Sequence, residues 1–166
     1  MKAKYILMLM FFWGTFTTFG QNTTTIHIAG KVEHELTLTL DDLKTLPVVS
    51  GKNFKVISTS GDIRKEFKTY QGVLLTNILD KAQIKVNNPK EKGKLIVLVK
   101  ATDNYTTAFS YHELFNNPTG EQVLVLFEID NRPIAKDGPF LLISATDKIT
   151  GARHVKWLSE IQVVEL

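Results

Sequence analysis

Alternation of apolar and polar residues at a period of two, repeated in short runs, is what most constrains the fold of this chain. Thr24–Ala29 and Glu35–Leu40 alternate and are rich in β-branched residues, the signature of half-buried strands. Phe54–Ser58, Glu66–Tyr70, Tyr105–Phe109, Gln122–Glu128, Phe140–Ala145 and Ile161–Glu165 give further strands, and Lys94–Ala101 is apolar enough for a central one. Only one segment carries a strong helical period. After Gly72, apolar residues recur at 74, 75, 78, 79 and 82. Two shorter helical turns are predicted from their starts: Thr39 followed by Asp41 and Asp42 and stopped by Pro47, and a capping box from Ser110 to Glu113. Asp130-Asn131 marks a turn. Strands far outnumber helices and the two do not alternate regularly. The expected fold class is therefore α+β, a single domain of mixed β-sheets with a few short helices.

The first 20 residues stand outside that pattern. Lys2 and Lys4 precede an apolar run from Tyr5 to Trp13, and the small residues Thr18 and Gly20 follow. This is the layout of a signal peptide, with cleavage expected after Gly20, leaving a domain over 21–166 in the periplasm or secreted. The run is too short to span a bilayer, which takes about 20 apolar residues. The whole chain has a net charge of +3, and residues 1–20 hold two lysines and no acid. The remainder is near neutral, with 18 basic against 17 acidic side chains, so charge gives no argument for a nucleic-acid partner.

The chain contains no cysteine. This excludes disulfides, thiolate metal sites, iron–sulfur clusters and a cysteine nucleophile. There is no glycine-rich phosphate loop, HExxH or GxSxG pattern. The four histidines, His27, His34, His112 and His154, do not pair at metal-ligand spacing. Asp62, Arg64 and Lys65 read most simply as a solvated turn. One stretch combines unusual chemistry: Gly151, Arg153, His154, Lys156 and Trp157 within seven residues. A glycine-opened loop with two cations three apart suits a phosphate. On spacing alone, an ordinary basic turn leading into the last strand, with Trp157 in the core, fits as well.

Five segments in order resemble one family. Leu38–Pro47 is similar to its early strand and helical turn, and Tyr70–Leu79 to its W-x-G-V-x-L-x-x-L-L stretch. Val99–Thr107 resembles A-x-D-G-Y, and Arg132–Pro139 resembles x-P-L-P-x-x-x-G-x-P. Gly151-Ala-Arg-His-Val-Lys-Trp-Leu158 resembles G-x-R/K-x-x-K-W-L, the most specific of the five. The family is the sulfite-oxidase type molybdopterin-binding domain. The resemblance implies that fold, a bacterial source, molybdopterin as a possible cofactor, and Gly151, Arg153 and Lys156 as phosphate contacts. Ser58, Thr59 and His154 join them as expected cofactor-binding residues.

The departures from the family pattern are chemical. Ser58 stands where the family's molybdenum-ligating cysteine is expected, and a hydroxyl is a far weaker metal ligand than a thiolate. Leu141 stands at the place of an arginine and Ala145 at that of a proline. No metal-ligating residue is assigned, and molybdenum is doubtful. Three readings follow. The domain is a degenerate member that binds a pterin or another phosphorylated or anionic small ligand; or it is a secreted module for a protein partner with a vestigial pocket; or it is an active molybdenum oxidoreductase with a non-cysteine metal site.

Overall fold

Period-two alternation is realised as two sheets. The structure, a computed structural model, describes residues 24–166. The expected signal peptide and its cleavage point after Gly20 lie outside the described residues.

In the first sheet, β1 (Ile26–Gly30) buries Ile26 and Ile28 completely and leaves His27 exposed, as its alternation predicts. It pairs antiparallel with β2 (Leu36–Leu38) and parallel with the last strand, β10 (Leu158–Glu165). Beyond β10 come β5 (Leu95–Ala101) and then β6 (Thr106–Ser110), in the order β2-β1-β10-β5-β6. The apolar Leu95–Ala101 run is thus an interior strand.

The second sheet begins with a long hairpin, β3 (Val48–Ile57) and β4 (Ile63–Leu74). β4 continues onto β7 (Val123–Ile129), which pairs with both β8 (Arg132–Pro133) and β9 (Leu141–Ser144). β3 and β4 run further than local patterning suggests, because both cross a glycine that a side chain would block. A Cβ on Gly51 would sit 2.1 Å from the Tyr70 ring, and one on Gly72 would sit 2.3 Å from the Val125 carbonyl oxygen.

Among the described residues, three short α-helices complete the fold, beside three 3-10 turns. α1 (Leu40–Lys44) starts at Thr39, whose hydroxyl accepts the Asp42 N–H while the Asp42 carboxylate accepts the Thr39 N–H. α2 (Leu75–Ala82) turns Leu75, Ile78, Leu79 and Ala82 into the core. α3 (Tyr111–Phe115) is capped by the Ser110 hydroxyl, but only half of the expected capping box forms. The Glu113 carboxylate goes to Arg153 instead.

The larger core lies between the first sheet, one face of β7 and the helices. A smaller one lies under the hairpin, joining Phe54, Val56, Phe67 and Tyr70 to Leu124, Leu126, Leu141 and Ile143. Leu141 is fully buried there, so the position where the family pattern carries arginine is a core position in this chain. The two sheets are stitched along one seam. Leu142 and Val155 exchange both backbone hydrogen bonds at 2.8 and 3.0 Å, and the Trp157 and Leu158 N–H groups donate to Asp137 and Phe140 carbonyls at 2.7 and 3.1 Å. The loop between β9 and β10 therefore passes from one sheet to the other. No helix among the described residues is long and apolar enough to cross a membrane.

Candidate functional site

The loop from Ala145 to Trp157 contains a 3-10 turn, Thr150–Arg153, that docks on the outer edge of β3. The Thr150 hydroxyl donates to the Lys55 carbonyl at 2.5 Å and accepts the Ile57 N–H at 2.8 Å. It thereby does for β3 what a neighbouring strand would do. Gly151 follows directly, and its Cα is so near β3 that an added Cβ would lie 2.7 Å from the Ile57 carbonyl oxygen. On the other side, Tyr105 donates its hydroxyl hydrogen to the Ala152 carbonyl at 2.6 Å. Tyr105 is held by a tight turn in which Asn104 has φ 70, the left-handed conformation that suits the glycine of A-x-D-G-Y and that asparagine tolerates.

These contacts define an open pocket of about 250 Å³ lined by Asp103, Tyr105, Gly151, His154 and Lys156. His154 is 9% exposed, its ring packs edge-on against Phe67, and its Nε2 is buried with no hydrogen-bond partner in the protein. Burial first, and then the nearby Lys156 charge, push its pKa down to about 4. At neutral pH it is an uncharged imidazole with one uncommitted nitrogen.

Lys156 is half exposed, and its Nζ lies 3.0 Å from Asp137 Oδ1. Asp137 is buried and also pairs with Lys65 of β4 through its other oxygen. Burial alone would raise the Asp137 carboxyl; hydrogen bonds and charge from Lys65 and Lys156 outweigh it and hold the group below the usual carboxylate range. Lys65 is therefore not part of a solvated turn, while Asp62 and Arg64 are exposed and pair at 3.4 Å.

Arg153 has a different set of neighbours. Its guanidinium donates two hydrogen bonds to Asp147 at 2.7 and 2.5 Å and one to Glu113 at 2.6 Å, and it stacks 4.2 Å from the centre of the Phe109 ring. The hydrogen bonding to Asp147 leads the contacts that raise its pKa. The side chain pins the loop to α3 and β6.

Ser58 and Thr59 lie in the β3–β4 turn beside this loop and do not line the pocket. The Ser58 hydroxyl accepts the Asp62 N–H at 3.2 Å and lies 2.9 Å from the Ser60 hydroxyl; Thr59 is exposed at the tip. The fold thus brings Gly151, His154 and Lys156 together, sets Ser58 and Thr59 in the adjoining turn, and ties Arg153 to carboxylates. Asp103, Tyr105 and Asp137 were not among the residues singled out from sequence, and Lys65 was read only as part of a turn. The first three lie in the segments that carry the family resemblance, which was their only signal.

The donor set does not fit a thiolate-held metal. The chain has no cysteine, the Ser58 oxygen is spent within its own turn, and among the described residues no three histidine or acidic side chains lie close enough to hold an ion.

Residues 14–166 match the family described as oxidoreductase molybdopterin binding domain, and the chain belongs to that family. Among solved structures it is similar to the sulfane dehydrogenase SoxCD from Paracoccus pantotrophus, with a TM-score of 0.68 and 19% identity, a likeness of fold. That likeness covers 87% of this chain and 39% of the SoxCD chain, so this chain spans well under half of its length. No curated protein sequence matches the chain.

Proposed function

We propose that this chain is an exported molybdopterin-family domain that binds a small ligand with an anionic group, a pterin phosphate or a similar phosphorylated molecule, without thiolate–molybdenum redox chemistry. The observation that carries this reading is the pairing of His154 with Lys156. The neutral, buried His154 forms part of the pocket wall, and its unpartnered Nε2 is covered, so it meets a ligand only if the ring turns. The Lys156 ammonium beside it has three donors, of which Asp137 takes one. Gly151 keeps the loop backbone against β3 and lines the pocket. Arg153 acts as the positioning residue of the loop.

Ser58 is the reason for leaving metal redox chemistry out. An uncharged hydroxyl bonded to its own turn has neither the anionic character nor the softness of a thiolate. Titration with inorganic phosphate, followed residue by residue through amide NMR, tests the binding reading. Amides from Gly151 to Trp157 are expected to shift, and Lys156→Ala to abolish the response. Immobile amides in that loop would contradict the proposal.

A further inference from the structure

A second depression, of about 610 Å³, lies beside the middle of β4 and is lined by Lys68, Thr69, Ile129, Asp130, Asn131 and Arg132. Its origin is topological. β4 pairs with β7 only from Tyr70 onward, where Tyr70 faces Ile129, so Lys68 and Thr69 emerge beyond the end of β7. The β7–β8 turn closes over that step. Asp130 and Asn131 both have left-handed φ, 52 and 59, which suits a two-residue hairpin turn. The Asp130 carboxylate then accepts the N–H groups of Lys68 and Thr69 at 2.7 and 3.1 Å through one oxygen.

The side chains left around this step are cationic and uncommitted. Among the described residues, neither the Lys68 ammonium nor the Arg132 guanidinium has a carboxylate within 4.0 Å, whereas the cationic groups of Lys65, Arg153 and Lys156 around the first pocket all do. Lys52, cross-strand from Thr69, is equally free of ion pairs. The Thr69 hydroxyl is buried here without a hydrogen-bond partner. Asp130 is the acidic residue in the lining, and it already holds two backbone N–H groups.

We propose that this step between β4 and the β7–β8 turn is a second binding site, for a tetrahedral oxyanion group such as phosphate or sulfate, gripped by Arg132 and Lys68. Arg132 supplies the planar fork that matches two oxygens, and Lys68 supplies a point charge. The site is separate from the pocket beside Lys156 and does not depend on it.

The two sites are resolved in one experiment: phosphate and sulfate titrations at low ionic strength, read by amide NMR on the wild type, Lys156→Ala, and the double variant Lys68→Ala/Arg132→Ala. The expected result is a shift of the amides of Lys68, Thr69, Asp130, Asn131 and Arg132 that survives Lys156→Ala and weakens at least about ten-fold in the double variant. Unmoved amides at millimolar anion overturn the proposal. So does a response that the double variant retains. Both changes are at exposed positions, and an unchanged wild-type spectrum elsewhere confirms that the double variant is folded.

Discussion

The hydroxyl of Thr150 closes the open edge of β3 by accepting the Ile57 N–H at 2.8 Å while donating to the Lys55 carbonyl at 2.5 Å. One side chain thereby fastens the candidate binding loop to the second sheet. Thr150→Val keeps the shape and removes both bonds, leaving a part-buried N–H and a carbonyl unpaired. The expected cost is about 1–3 kcal/mol in chemical denaturation. Hydrogen exchange at Ile57 should quicken by more than exchange in β10. A loss below about 0.5 kcal/mol would mean that the staple does not hold the loop.

Gly151→Ala tests the same junction sterically. The new methyl lies 2.7 Å from a backbone oxygen, which cannot step aside as a flexible side chain can. We expect a destabilisation of roughly 1–3 kcal/mol, in the range of overpacking changes. Gly61→Ala on the neighbouring turn is the contrast. Space is open there, and the cost comes from its φ of +87 alone.

Arg153→Ala leaves the Asp147 and Glu113 carboxylates facing each other without their cation and uncovers the Phe109 ring. Both carboxylates are partly screened by water, so the expected loss is about 2 kcal/mol, less than for a fully buried pair. A double-mutant cycle with Asp147→Ala should recover part of it. Full additivity would show that the two side chains are not coupled.

Stability should fall as the solution is acidified, with His154 as one identifiable cause. Its folded pKa is about 4, below the ordinary 6.5, so between those values the unfolded chain takes up a proton that the folded chain does not. The stability tied to neutral His154 is complete above pH 6.5 and is lost as pH falls toward 4. It amounts to roughly 3 kcal/mol. Asp137, held low by its lysines, adds a further loss below its ordinary 3.8. His154→Leu is expected to flatten the profile between pH 6.5 and 4. An unchanged slope in that variant would place the proton uptake elsewhere.

Much of this fold was legible in its residues, for local reasons. α2 and the paired strands β5 and β6 follow from apolar period alone, and the starts of α1 and α3 from Thr39 and Ser110. What local patterning missed depends on distant pairing. β3 and β4 extend through Gly51 and Gly72 because a ring and a backbone from other positions need that space. Glu113 reads as half of a capping box, yet a stronger partner, Arg153, arrives from 40 residues away. The candidate loop was visible as glycine with cations. The carboxylates that engage those cations were not legible from local pattern, since Asp137 and Asp147 meet them only once the β9 and β10 seam brings them close. Trp157, expected in the core, is half-buried with φ 51, because its backbone turns there to meet Asp137 and Gly138.

The central claim is that a molybdopterin-family domain in which Ser58 stands at the ligand position binds a small anionic ligand beside His154 and Lys156 but holds no molybdenum. Native mass spectrometry with elemental analysis, on protein purified from cells that make the molybdenum cofactor, tests it most directly. The account predicts a small phosphorylated adduct that disappears in Lys156→Ala, and molybdenum far below one atom per chain. Molybdenum near one atom per chain, lost on Ser58→Ala, would contradict it.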